Sequence, residues 1–429
     1  MDAAQVQRRT LRLLVGTQMV GGIGVAIGLT VSALLTAAMA GIGVSGLAAS
    51  AGVVGGALLA VPATRIIRGY GRRPGLAFGY AIGALGAVVV VYGAARHAVP
   101  VLFVGMFLFG GGTTANLQAR YAAVDLAPPA RRGRQLSLIV WATTVGAVAG
   151  PNVAPLADHI VRPFGFAEYS GPFAFSALAF LAAGTAIWLR LRPDPLLVAR
   201  QLASSELSAR RPAAATGPAP NSVGMPAAAR VVFADPAARL GIAAVAAGHL
   251  VMVGVMSMTP VHIQEYTHNH ADVLTVVGVV LSLHIAGMYA AAPVVGWLAD
   301  RIGRRPVILG GIGALLAACA VAGTAGHRTA ALSVGLVLLG LGWSGTMVAG
   351  STLLSESVPA PVRPAAQGLC DLVMGLAGAG AGAVSGLVVH WSGYPTLTLL
   401  AAVATVPLLA LALRPVPVPV PAPVALEGR

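Results

Sequence analysis

Lysine does not occur in this chain, Asp and Glu together number 13, and charged residues of either sign fill only 9% of its 429 positions. A soluble globular chain carries about 25% charged residues. With 57% of positions drawn from AVILMFWYC and a mean hydropathy of +0.83, no water-soluble fold of this length could cover its own apolar surface. Much of the chain must therefore have lipid as its solvent. Cysteine is scarce too: Cys319 and Cys370 both fall in apolar stretches and could pair only if those helices meet, so no disulfide framework is implied. No phosphate-binding P-loop stands out, nor a nucleophile–base set within one loop, so the sequence gives no basis for an enzyme.

Apolar runs and small residues fill the chain instead. Glycine (55) and proline (29) are abundant, as membrane helices tolerate. A helix needs about 20 apolar residues to cross a ~30 Å hydrocarbon layer. Twelve such spans occur near 13–37, 42–63, 75–95, 99–119, 135–157, 172–191, 240–261, 273–298, 307–325, 330–350, 366–389 and 395–413. Arg8, Arg9 and Arg12 before the first span imitate a secretory signal, but the apolar stretch runs on from Leu13 to Met39, too long for one, and reads as a retained first helix. Residues 192–238, rich in Pro, Ala, Ser and Arg, show no sustained helical period and read as a loop. The expected organisation is an N-terminal six-helix bundle (1–191), a cytoplasmic linker (192–238), a C-terminal six-helix bundle (239–414) and a Pro-rich tail (415–429) of extended polyproline II.

The formal charge of +14 raises the question of nucleic acid, but the placement of the arginines answers it differently. All but Arg96, Arg162 and Arg328 of the 27 lie in the even-numbered loops or at the termini. By the positive-inside rule both termini and the central linker are cytoplasmic. This predicts a multi-pass protein of the cytoplasmic membrane, working as a monomer, with lipid rather than nucleic acid around it.

The two halves repeat. "GRRP" occurs at 71–74 and 303–306, an offset of 232. Asp125 precedes Arg132 by seven positions and Glu356 precedes Arg363 by seven, an offset of 231. A shared offset in two separate loops predicts an all-α membrane fold of two pseudo-symmetric six-helix bundles, with a solute pathway between them near the bilayer midplane.

"GWLADRIGRRP" (296–306) resembles the loop signature of the major facilitator superfamily, the twelve-helix secondary transporters. The resemblance implies alternating access, and a gating role for Gly296, Asp300, Arg301, Gly303, Arg304, Arg305 and, in the first copy, Arg72 and Arg73. The two glycines permit tight packing and a short turn. Asp300 can cap a helix or pair with arginine, and the arginines can anchor at lipid phosphates. Arg68 stands where the first copy should match Asp300, which argues against a gating charge pair in that half. "GAVAGPNVAP" (146–155) partly resembles the family's fifth-helix antiporter motif, with Gly146, Gly150 and Pro151 in place. It favours an alternative function, proton-coupled efflux of a hydrophobic drug or metabolite. Met106 counts against that alternative, because it stands where such exporters carry an arginine four residues before Gly110.

Two spans carry a further pattern. His249, Met252 and Met256 stack on one face of span seven, and His284 and Met288 on one face of span eight. Thioether is a soft, neutral ligand suited to Cu(I), and imidazole also suits copper. "MVGVMSMTP" (252–260) with "HIAGMY" (284–289) resembles the paired motifs of the CcoA-type copper importers, a branch of the same superfamily. That resemblance implies copper as cargo, with no resident cofactor, held by Met252, Met256, His284 and Met288. The positions matching these four in the first half are Gly21, Val25, Val53 and Ala57, so the set belongs to the second half alone. The loop "HIQEYTHNHAD" (262–272) reads as solvated, a short histidine-rich tract of a kind that can collect metal. Asp371, well inside span eleven, is the candidate coupling residue, since an intramembrane acid defaults to a functional reading.

Overall fold

A computed structural model describes residues 3–128, 132–209, 224–267, 269–359 and 362–414. The expected polyproline tail, 415–429, lies outside the described residues. The described chain is helical throughout: α1 (Ala3–Ala40), α2 (Ile42–Tyr70), α3 (Arg72–Ala95), α4 (Val99–Ala122), α5 (Arg132–Val161), α6 (Gly171–Arg190), α7 (Pro195–Ala209), α8 (Met225–Ala234), α9 (Pro236–Tyr266), α10 (His270–Tyr289), α11 (Ala292–Ile302), α12 (Arg304–Thr324), α13 (Thr329–Ser357), α14 (Arg363–Ala404) and α15 (Val406–Leu413). Helix is what a lipid solvent demands, because it satisfies every backbone group within the segment.

Ten helical runs among the described residues are long and apolar enough to cross a bilayer. The last of them, Ala365–Leu413, breaks at Gly393 (φ 78°), so it supplies two crossings, and α5, with 30 residues, completes the twelve. Span eight is also broken, between α10 and α11. Pro293 explains the break: it lacks an N–H, and its ring clashes with the carbonyl one turn back, that of Tyr289.

The repeat seen in the sequence recurs in the backbone. Gly71 joins α2 to α3 at φ 97°, and Gly303 joins α11 to α12 at φ 96°, a conformation that side-chain-bearing residues rarely adopt. At each junction the next arginine reaches an acid at the end of the half's fourth span. Arg72 binds Asp125 through two bonds of 2.8 and 3.0 Å, and Arg304 binds Glu356 through two of 3.2 and 2.8 Å. The first half therefore does hold a charge pair despite Arg68. The partner acid comes from α4's end and not from the position matching Asp300, which in the second half pairs with Arg304 at 3.0 Å.

Four expectations are corrected. The linker is not a plain loop: Asp194 accepts from the backbone of Leu196 and Leu197, and with Pro195 it starts α7, while α8 buries Ala228 and Val232 against the second half. These helices are too short to show a sustained period. Gly296 faces open space, so the close approach expected of it does not occur. Arg304 and Arg305 are spent on protein, the latter on the Ala412 and Arg414 carbonyls, rather than reserved for lipid phosphate. The presumed outer loop begins later than expected, because α9 runs to Tyr266 and takes His262 into its last turns.

Glycine contacts bring the helices together. A Cβ on Gly146 would lie 2.5 Å from the Met19 carbonyl, and one on Gly150 2.5 Å from the Ala26 Cβ, so the fifth-helix motif is where α5 rides on α1. The Pro151 carbonyl, on the same helix, faces Gly278 of α10 in the other half. A Cβ on Gly110 would run into the backbone of α2 at Gly52 and Gly56. We expect Gly110→Val to separate α2 from α4 and cost several kcal/mol, about 1–3 kcal/mol at least by overpacking alone. A melting curve of the solubilised protein checks this; an unchanged midpoint would contradict the packing described.

Candidate functional site

The hydrogen bonds that cross between the halves, among the described residues, cluster toward one end. Ser45 of α2 donates to the Met258 sulfur (3.5 Å), and Ser50 to the Ala379 carbonyl (2.7 Å). Asn152 of α5 donates to Ser282 of α10 (2.6 Å), which donates to the Val148 carbonyl (2.9 Å). Gln264 donates to the Tyr169 hydroxyl (3.2 Å). These residues lie in the halves of their spans remote from the chain termini.

Nearer the termini, polar and aromatic side chains gather around α13. The Trp343 indole N–H donates to His249 Nδ1 at 3.1 Å. Indole only donates, so Nδ1 is the bare nitrogen and a neutral His249 carries its proton on Nε2. The ring lies against Gly378 of α14, where a Cβ would stand 2.7 Å from Cδ2. Tyr289 meets Trp343 edge-on, with centroids 5.8 Å apart. Arg120, in the last turn of α4 in the other half, acts electrostatically on both Tyr289 and Asp371. Asp371 itself is exposed, two turns into α14.

The second imidazole is set differently. His284 is fully buried, and its Nδ1 stands 2.8 Å from the Leu336 carbonyl. A carbonyl only accepts, so Nδ1 bears the proton and Nε2 keeps a bare lone pair, which has no hydrogen-bond partner. Met252 and Met288 are buried in the same core, with Met256 half-buried against it. Among the described residues no three His, Cys, Asp or Glu side chains converge as a metal group, so any metal here would rest on thioether and imidazole. Cys319 and Cys370 are buried and free.

The sequence reading missed the polar knot of the first half. Gln18 donates to the Asn116 carbonyl (3.0 Å) and to Thr143 (2.9 Å), and Tyr80 donates to the Asn116 side chain (2.7 Å). This ties α1, α3, α4 and α5 together. A signal was present: Gln18 and Asn116 are amides inside apolar spans, and Gln18 stands 231 positions before His249. Arg120, Tyr289 and Trp343 were also missed, since nothing in their spacing marks them.

Two bundles with matching junctions, closed on each other toward one end and presenting polar groups between them, define a membrane carrier of the two-repeat kind. The chain belongs to the Major Facilitator Superfamily, whose model matches residues 13–280 and 267–429. It is 36% identical to an uncharacterized MFS-type transporter, YdeG of Bacillus subtilis (strain 168), over 94% of this chain and 90% of that one. It is 23% identical to the riboflavin transporter RfnT of Brucella anthropi, over 83% of each. Among solved structures it is similar to a bacterial homologue of the human lysosomal transporter Spinster, in an inward-facing and unoccupied conformation, with a TM-score of 0.69 at 14% identity over 95% of this chain and 96% of that one. A D-xylose–proton symporter aligns with a TM-score of 0.64 at 17% identity, over 92% and 95%.

Removing one partner from the knot should leave buried acceptors bare. We expect Gln18→Leu to lower stability by about 1–3 kcal/mol, and Tyr80→Phe by less, because Asn116 and Gln18 keep other bonds. Thermal unfolding in one detergent checks both.

Proposed function

We propose that this protein is a secondary transporter that moves a small, ring-bearing solute across the cytoplasmic membrane, with the His249–Trp343–Tyr289 cluster as its binding surface. The observation that carries this is the His249–Trp343 hydrogen bond with Tyr289 edge-on to the indole, a cluster whose Tyr289 also feels the charge of Arg120 from the other half. A solute there touches both halves, as rocking of two bundles about a fixed site requires. Trp343 and Tyr289 offer flat apolar faces, His249 offers an Nε2–H donor, and Arg120 offers a charge for an anionic or electron-rich edge. The riboflavin carrier among the relatives moves a solute of this chemistry. With both termini on the cytoplasmic side, closure at the remote end makes this the inward-open state. Asp371, an acid within span eleven that feels the charge of Arg120, is the group we assign to proton coupling, in whichever direction the solute moves.

A second reading, copper uptake, is favoured by one observation: the bare Nε2 of His284. A metal-binding histidine characteristically donates its other N–H to a carbonyl, which fixes the tautomer. The Leu336 carbonyl does this here. Met252, Met256 and Met288 would supply the soft ligands.

A panel of flat heterocyclic solutes, riboflavin among them, tests the first reading against the purified protein. At least one member should raise the melting temperature. Trp343→Ala and Arg120→Gln should each weaken that binding by about 1–3 kcal/mol. No response from any member, or an undiminished response in both variants, removes the site.

Cellular copper content with and without the gene tests the second. The expected result is a deficit that His284→Ala or Met256→Ala fails to restore, each weakening metal binding about tenfold or more. An unchanged copper content ends that reading.

A further inference from the structure

The last two turns of α9 hold a group of contacts that the solute site does not use. Around Pro260 the helix alternates between its own half and the other. Ser257 bonds Ser385 (3.0 Å) and Thr259 bonds the Tyr394 hydroxyl (2.9 Å), both within the second half. Met258 and Gln264 take the cross-half bonds from Ser45 and to Tyr169. These turns therefore carry part of the closure of the remote end. Pro260 has no N–H to bond the Met256 carbonyl, so the segment beyond it is the natural place for α9 to bend.

His262 sits in the middle of this segment, with a side chain only 8% exposed. Its ring is stacked on Tyr394, 4.4 Å between centroids and 3° from parallel. Nδ1 lies 2.9 Å from the Glu265 carboxylate, and Nε2 lies 3.3 Å from the Gly326 carbonyl in the turn between α12 and α13. Both neighbours are acceptors. A neutral imidazole has one N–H and can satisfy one of them, leaving its other lone pair against an oxygen; an imidazolium donates to both. The pocket is thus shaped for the charged ring. It also leaves no lone pair for a metal, which sets aside the metal-collecting reading of this histidine.

We infer that His262 is a proton-binding site that latches the remote end of the transporter shut: the bound proton ties α9 to the α12–α13 turn, and its loss frees the segment beyond Pro260 to swing and release the contacts to Ser45 and Tyr169. On the topology proposed above this end faces the outside, so external acidity holds the outer gate closed. The titratable and charged groups around His262 do not displace it from this role. From α9 there are Glu265, which is its partner, and Tyr266, edge-on at 5.6 Å. From α14 there is Tyr394, the stacking partner. The α12–α13 turn brings His327, which stacks on Tyr266 at 5.1 Å, and Arg328, whose guanidinium is spent on the Ala325 and Thr324 carbonyls of its own turn. Among the described residues, Glu265 is the carboxylate in contact with the ring.

The test needs no substrate. Spin labels are placed on two exposed residues of the remote end that make none of these contacts, through Phe164→Cys in the first half and Ser392→Cys in the second, with Cys319 and Cys370 replaced by alanine in the full-length protein in lipid nanodiscs. Their distance distribution is read at about pH 5.5 and about pH 8, the window in which histidine changes charge. We expect the longer, open-end distance to gain about threefold in population between the two. His262→Phe keeps the stack on Tyr394 but removes both donors, and should show the open-end population at both pH values. Glu265→Gln, at a half-exposed position that leaves folding unthreatened, removes one acceptor charge from the latch and should raise the open-end population at about pH 5.5. A distribution that does not change with pH when His262 is present overturns the inference. So does a pH response that His262→Phe and Glu265→Gln leave intact.

Discussion

Inside a bilayer the apolar side chains of a helix gain nothing by leaving lipid for another helix, because the two surroundings are equally greasy. Helices must be held together by close backbone approach and by the few polar groups that cannot face hydrocarbon. This constraint organises the whole molecule. Glycines form the surfaces along which α5 meets α1, at Gly146 and Gly150, and α4 meets α2, at Gly110. Polar side chains such as Gln18, Tyr80, Ser176 and Thr114 bond to a neighbouring span. The same constraint makes the second half's unspent polar groups conspicuous.

The charged loops solve a different problem. Each half must move as a body, yet its second and third spans are joined by a single glycine, Gly71 or Gly303, in a conformation that leaves little slack. Arg72 to Asp125 and Arg304 to Glu356 brace that junction against the end of the fourth span in both halves. Asp194 adds a third support in the first half, accepting from the Arg73 backbone N–H at 2.7 Å while starting α7. The linker helix thereby continues the first bundle's brace, and α8 packs on α9 and α14 of the second. Among the described residues between the halves, α7 belongs with the first bundle and α8 with the second.

Much of this could be read in advance, for reasons that also explain what could not. Span positions follow from hydropathy, because lipid is an unambiguous solvent and the runs are long. The repeat followed from GRRP and from the spacing of Asp125 and Glu356, since loop geometry of this kind tolerates few residues. The partner of each acid was not legible: Arg132 and Arg363 mark the repeat, whereas the fold brings in Arg72 and Arg304 from 53 and 52 positions away. The same limit hid the aromatic cluster around α13. His249 and His284 were visible as polar intrusions, but Trp343, Tyr289 and Arg120 become a group only when three helices from two halves converge. The histidine tract at 262–272 misled for a local reason, because one of its members continues a helix that polar composition seemed to end.

The two halves started from one plan and spent their polar groups differently. At the shared position on the first helix of each half stand Gln18 and His249. Gln18 gives its amide protons to Asn116 and Thr143, and Tyr80 closes the knot, so that corner is internally satisfied and serves as a rigid wall. His249 accepts one bond from Trp343 and has a donor left over, His284 keeps a bare nitrogen, and the Ser344 hydroxyl beside Trp343 is buried without a partner. Unmatched polar groups in a low-dielectric interior carry a cost, which a bound polar solute would offset. Gln7 keeps a bare Oε1 in the first half as well, so it is the grouping of the unmatched atoms near α13, and not their mere presence, on which the proposed solute site in the second bundle rests.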